Sequence, residues 1–150
     1  MKEEISQIRS FNRFYTSIIG LLDRQYLDSE FSLTEARILY ELYHAPEGLT
    51  AKALIELLDL DKGYLSRILL HFEKKKLLGK RRSAADGRSS YLRLTEKGKE
   101  AFLSLDLASR QQVMKMLTSL SDPDIARLVT SMNAIKEILA KVNTNDHEQH

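Results

Sequence analysis

Asp61-Lys62-Gly63-Tyr64-Leu65-Ser66-Arg67-Ile68-Leu69-Leu70-His71-Phe72-Glu73-Lys74-Lys75 decides how this chain is read. Leu65, Ile68, Leu69 and Phe72 recur at helical spacing, so one face of a helix is apolar. The other face is left to Lys62, Gly63, Tyr64, Ser66, Arg67, Leu70, His71 and Lys74. Asp61 supplies an N-cap. Just upstream, Thr50 caps a shorter helix whose apolar face is Leu54, Ile55 and Leu58, and Asp59-Leu60-Asp61 turns the chain between the two. Two short helices joined by such a turn read as a helix-turn-helix. A B-DNA major groove admits one α-helix, held by a second while its outward side chains reach base edges. Lys62, Tyr64 and Arg67 suit base or near-base contact, and Thr50, Ser66 and Lys74 suit phosphates. Gly63 leaves room for close approach of the backbone, at some cost in helix propensity.

Downstream, Leu77-Leu78-Gly79 leads into Lys80-Arg81-Arg82-Ser83, then Ala84-Ala85-Asp86-Gly87-Arg88-Ser89, then Ser90-Tyr91-Leu92-Arg93-Leu94. The last segment alternates, Leu92 and Leu94 facing one way and Tyr91 and Arg93 the other, which predicts a hairpin with a basic tip. Residues 62–99 hold 12 Lys/Arg against three acids, a local charge of +9. The remaining 11 basic and 18 acidic residues give −7, so a net charge of only +2 hides a basic middle between acidic flanks. Alone, Lys74-Lys75-Lys76 or Lys80-Arg81-Arg82 reads equally as a solvated face; beside a helix-turn-helix it reads as a phosphate-binding surface.

Around this centre the pattern is helical. Ile8, Phe11, Tyr15, Ile18 and Leu22 predict a first helix over about residues 3–27. Ser32 and Glu35 form a capping box for a second, which carries Ala36, Leu39 and Leu42 inward and ends near His44. Thr95 caps a helix expected to reach about Leu120. Asp122, with Pro123 at the first helical position, begins a last one striped by Ile125, Leu128, Val129, Met132, Ile135, Leu139 and Val142. The polar end, Asn143 to His150, is expected to fray.

The 150 residues, 43% of them hydrophobic, suit one domain, 1–150, with a single core and no room for a catalytic second domain. With no cysteine, disulfides, thiolate metal sites and thiol redox switches are closed off. The acidic start, Met1-Lys2-Glu3-Glu4, leads into an amphipathic helix and not a signal core, and no apolar run reaches the ~18 residues of a membrane span; a cytoplasmic location is expected. His44, His71, His147 and His150 are too scattered for a metal site, and no cofactor is expected. No Ser/His/Asp set, glycine-rich phosphate loop or paired-carboxylate pocket can be argued, so no enzyme is read here.

The chain resembles the MarR family of bacterial transcriptional regulators. The resemblance rests on Leu49-Thr50, Leu54, Leu58, Leu65-Ser66-Arg67, Leu77-Leu78, Asp86 with Arg88, and Leu92, Leu94-Thr95 with Gly98. It implies a mainly α winged helix-turn-helix with a small β-hairpin wing, the DNA-binding lobe over about 32–99 and dimerisation helices over about 3–27 and 96–143. It further implies a homodimer on palindromic double-stranded DNA, most often a repressor. Asp86 would stiffen the wing, Arg82 and Arg88 would meet DNA, and Arg88 would enter the minor groove, a site that suits arginine on electrostatic grounds. Arg9-Ser10-Phe11-Asn12-Arg13-Phe14-Tyr15 resembles MarR-like domains fused to acetyltransferases, but no such sequence follows. Family members often carry glycine where this chain has Asp59 and Lys76, places where a left-handed backbone is convenient; this leaves the end of the recognition helix open.

Many family members release DNA on binding a small aromatic or phenolic acid. Arg13, Tyr15, Tyr40 and Tyr43 are the candidate effector residues, although the tyrosines read more readily as half-buried core and Arg13 as a surface ion pair. A protein-docking winged helix remains the alternative to an operator-binding regulator.

Overall fold

Side-chain oxygens at the helix starts set most of the element boundaries. The computed structural model describes residues 1–19, 29–82 and 90–147. It contains α1 (Lys2–Ile19), α2 (Leu33–Tyr43), α3 (Ala51–Leu58), α4 (Lys62–Lys74), β1 (Leu78–Arg82), β2 (Ser90–Leu94), α5 (Glu96–Leu117) and α6 (Asp122–His147). Ser32 accepts from the Glu35 amide while the Glu35 carboxylate accepts from the Ser32 amide, the expected reciprocal box. Thr50, Asp61 and Thr95 likewise accept from the amides of Ala53, Tyr64 and Gly98.

The chain divides into two units, Met1–Ser109 and Arg110–His150. In the first, Phe31, Ile38, Leu39, Leu42, Leu54, Leu58, Leu65, Ile68, Leu69, Phe72, Leu77, Leu78, Leu92, Leu94, Phe102 and Leu105 form one buried cluster. Phe31 meets Phe72 edge to face, centroids 6.1 Å apart, so the segment read as a helix break also contributes an aromatic anchor to the core. β1 and β2 pair antiparallel with Leu78 opposite Leu94 and Lys80 opposite Leu92. On the other edge of β2, the amides and carbonyls of Leu49 and Leu92 exchange hydrogen bonds of 3.0 and 2.7 Å, a bridge that alternation alone did not reveal.

The exit from α4 is now defined. Lys76 takes a left-handed backbone, φ 60°. The Leu77 amide donates to the Phe72 carbonyl and the Lys76 amide to the Glu73 carbonyl, both at 2.9 Å, a Schellman closure with lysine where glycine is usual. The start of α5 covers the carbonyls that follow: Thr95 Oγ1 donates to Lys76 O, Thr95 N to Leu77 O and Lys97 Nζ to Lys75 O. A Cβ on Gly98 would lie 2.0 Å from the Leu77 carbonyl oxygen, so this junction requires glycine.

Several expected boundaries change. α1 is described to Ile19, and its expected continuation through Leu22 to residue 27 lies outside the described residues. α5 ends at Leu117, not Leu120, because Thr118 turns back through its hydroxyl to the Lys115 carbonyl and the Leu120 amide bonds Leu117 O. Ser121, not Asp122, caps α6: its hydroxyl accepts from the Asp124 amide at 3.3 Å and its carbonyl from the Ile125 amide. Pro123 therefore sits one place later than expected, still within the first turn, where a missing N–H removes no intrahelical bond. The helix runs on to His147, past the polar residues expected to fray from Asn143, since each added residue gains a hydrogen bond once a helix is nucleated. Among the described residues no helix is long and apolar enough to cross a membrane.

Candidate nucleic-acid interface

Asp59 at φ 51° turns the chain out of α3, and the Leu60 amide closes that turn on the Ile55 carbonyl. Asp61 then starts α4, which spends Leu65, Ile68, Leu69 and Phe72 on the core, Leu65 and Phe72 being 1% and 0% exposed. Burial of a leucine or phenylalanine contributes ~1.5–3 kcal/mol each, enough to fix which face looks outward. That outward face is the predicted one: Lys62, Gly63, Tyr64, Ser66, Arg67, Leu70, His71 and Lys74 are all exposed. The Arg67 guanidinium lies 6.0 Å from the Tyr64 ring centroid, so these two groups form one cationic-aromatic spot on adjacent turns. Gly63 has a second reason to be glycine, because a Cβ there would come within 3.2 Å of the capping Asp61 carboxylate.

The hairpin stands beside α4. β2 alternates as predicted, Leu92 and Leu94 buried while Tyr91 is exposed and Arg93 half-buried, whereas β1 buries Leu78 and leaves Lys80, Arg81 and Arg82 all exposed. Arg82 pairs with Ser90 at the outer end of the described ladder; Asp86 and Arg88 lie outside the described residues. Not every cation of the basic segment is available. Arg93 is tied to Glu47, whose carboxylate is 3.6 Å and carbonyl 3.3 Å away, and Lys75 bonds Glu30 at 2.7 Å. That bond from Lys75 holds the Glu30 carboxyl below its ordinary value, against a small opposing effect of burial.

Thr50 is half-buried, and its oxygen is already accepting at the start of α3. It lines a cleft of about 500 Å³ with Lys52, Ser66, Glu73, Lys80 and Ser90. Of these, sequence reasoning singles out only Thr50 and Ser66 as contacts; Lys52 lies two residues after Thr50 and Lys80 belongs to the basic run, but only tertiary packing brings them together.

The four candidate effector residues separate. Tyr40 is half exposed on a second cleft, about 220 Å³, between α2 and α5, with Leu33, Arg37, Phe102, Leu105, Asp106 and Ser109. Tyr43 stacks on Phe102 with centroids 4.3 Å apart and is not in the lining. Arg13 and Tyr15 are on α1, where Tyr15 stacks on Phe11, and neither lines this cleft. The cation that does line it is Arg37, which no sequence motif marked.

The MarR family model matches residues 29–89. YdgJ, an uncharacterised HTH-type transcriptional regulator of Bacillus subtilis (strain 168), is 26% identical over 114 residues, 76% of this chain. The chain covers 65% of that relative's length. Among solved structures, MepR, a transcription regulator of the Staphylococcus aureus multidrug efflux pump MepA, superposes with a TM-score of 0.72 at 18% identity, over 86% of this chain and 95% of its own. Streptococcus pneumoniae FabT, solved in complex with DNA, gives 0.68 at 20% identity, over 94% and 96%. At these identities the likeness establishes the fold, a mainly helical winged helix with a two-stranded wing.

Proposed function

We propose that this chain, whose winged-helix segment is of the MarR family, is a sequence-specific double-stranded DNA-binding transcriptional regulator that acts in the cytoplasm as a homodimer. The observation that carries this reading is α4: an apolar seam fixes its orientation, and a continuous exposed face offers Lys62, Tyr64, Ser66, Arg67 and Lys74 beside the basic β1. Lys62, Tyr64 and Arg67 read bases, Gly63 lets the backbone approach, and Thr50, Ser66, Lys74 and Arg82 meet phosphates. Asp86 and Arg88 complete the wing's contact, Arg88 in the minor groove. A two-fold dimer reads a palindrome with half-sites ~34–36 Å apart.

The reading includes repression relieved by a small aromatic or phenolic acid. The cleft at Tyr40 favours it, with Arg37 now the cation that meets the carboxylate and Phe102 the ring that stacks. Arg13, Tyr15 and Tyr43 have a weaker claim, since none of them lines it. An effector releases DNA only by binding the DNA-incompetent arrangement better, by ~1–3 kcal/mol in typical cases. Among the described residues no catalytic constellation supports an enzyme.

Selection of bound sequences from random duplex DNA tests the whole reading at once, since it reports binding, symmetry and half-site spacing. A palindromic consensus is expected, with affinity that falls by ~10³–10⁵ between 50 and 200 mM salt if ~6–10 phosphates are neutralised. Weak binding with no consensus would instead mark a protein-docking winged helix.

A further inference from the structure

We propose that Glu73 is a specificity-determining residue of the DNA interface, because it withholds Lys80 from phosphates and keeps it as a strut between recognition helix and wing. The inference rests on the DNA-binding reading above. Glu73 is the one acid in α4, and it stands three and seven residues after Leu70 and Ser66, on the side that faces the cleft. Its Oε1 lies 3.0 Å from Lys80 Nζ on β1. A carboxylate in a cleft that also holds Lys52, Thr50 and Ser66 opposes the electrostatics of phosphate binding, so its presence there needs a role.

The neighbouring cations supply the contrast. Arg81 and Arg82 are exposed and form no ion pair among the described residues, so they can meet a backbone phosphate at once. Lys80 must first leave Glu73. In a loose complex on arbitrary sequence, affinity comes almost wholly from phosphate contacts, and withholding one cation removes one contact. In the operator complex base contacts from α4 carry the preference, and the intact Glu73–Lys80 pair holds the wing at the angle that lets both elements engage. The acid therefore lowers sequence-blind affinity more than operator affinity.

The test compares wild type, Glu73→Gln, Lys80→Gln and the double variant on a selected operator and on a random duplex of equal length, across a salt series. Glu73→Gln is expected to bind the random duplex about three- to fivefold more tightly, with a log–log salt slope steeper by roughly 0.9 per subunit, as one more phosphate contact requires. Operator affinity stays level or falls, so the preference ratio shrinks. Lys80→Gln in the Glu73→Gln background returns random-duplex affinity and slope to wild-type values, which a merely structural role for Glu73 would not produce. An unchanged slope on random DNA in Glu73→Gln overturns the proposal, as does equal weakening on both duplexes. A wild-type protein without operator preference would overturn the DNA-regulator reading itself, a result separate from failure of the strut.

Discussion

A lysine at φ 60° closes the recognition helix, and this residue carries more of the local geometry than its side chain suggests. The left-handed conformation costs an L-residue ~1–2 kcal/mol, and glycine avoids that at the expense of a more flexible unfolded chain. Lys76→Gly is therefore expected to raise stability by about 0.5–1 kcal/mol, read as a higher urea midpoint with an unchanged slope. Gly98 is the opposite case. Its missing Cβ leaves room for the Leu77 carbonyl, and Gly98→Ala should destabilise by about 2–3 kcal/mol in the same assay. A midpoint within error of wild type would mean that the α4–α5 junction yields easily. Glu30 adds a pH-dependent element: its folded carboxyl titrates below the ordinary 4.5, so the stabilisation from Lys75 is fully present above that pH and drains away as pH falls through the folded value. The pair is exposed, so the effect is small. A slightly lower midpoint for Glu30→Gln at neutral pH, with the gap to wild type closing in acid, is the expected pattern; a gap constant down to pH 3 would assign the loss to packing. Sequence reasoning marked both Asp59 and Lys76 as positions that ask for a left-handed backbone. It left the helix end open because the groups that settle it, Thr95, Lys97 and Gly98, lie some twenty positions downstream and no local pattern registers them.

At the scale of elements, α4 and β2 were legible because each has a buried face with a strict period. Leu65, Ile68, Leu69 and Phe72 give one and Leu92 and Leu94 the other. What periodicity missed are single residues in polar surroundings: Phe31 beneath Phe72 and Leu49 on β2, which tertiary contact recruits, and Ser121, whose hydroxyl makes a local cap for α6 ahead of the acidic Asp122. The candidate interface follows the same division, since the exposed face of α4 was readable whereas the Lys52–Glu73–Lys80 cleft was not. Two substitutions on α4 separate reading from holding. Arg67→Ala removes a donor set of the kind that reads guanine, and is expected to cost about 1–3 kcal/mol on the selected operator while flattening preference at one base position. Lys74→Ala is expected to weaken binding almost uniformly across sequences and to reduce the salt slope by about 1 per subunit. Titrations of both variants against operator and single-base variants of it decide the matter; interchanged phenotypes would mean that α4 lies in the groove at a different rotation.

Among the described residues, α1 and α6 each carry a row of exposed apolar side chains. On α1, Ile8, Phe14 and Ile18 are 60%, 63% and 50% exposed, and on α6 Ile138, Leu139 and Val142 are 61%, 58% and 57% exposed. Isolated exposed leucines are ordinary, but apolar rows along two helices that both lie outside the winged-helix lobe are the pattern of a partner surface. The proposed partner is a second copy, because a palindromic site and a two-fold dimer require each other. Phe14→Asp and Ile138→Asp test this without disturbing a core, since neither side chain is buried in the single chain. Polar substitution at an exposed site that contacts nothing changes stability by only about ±0.5 kcal/mol, whereas a carboxylate placed in an apolar interface opposes association strongly. Wild type is expected to sediment as a dimer, and each variant to shift toward monomer with its helical circular dichroism intact. Operator affinity should then fall by roughly 100-fold or more, because the second half-site is no longer engaged at the high effective concentration that linkage provides. Variants that remain dimeric would move the interface to other faces, and a monomeric variant that still held the full palindrome at wild-type affinity would separate DNA recognition from dimer symmetry altogether.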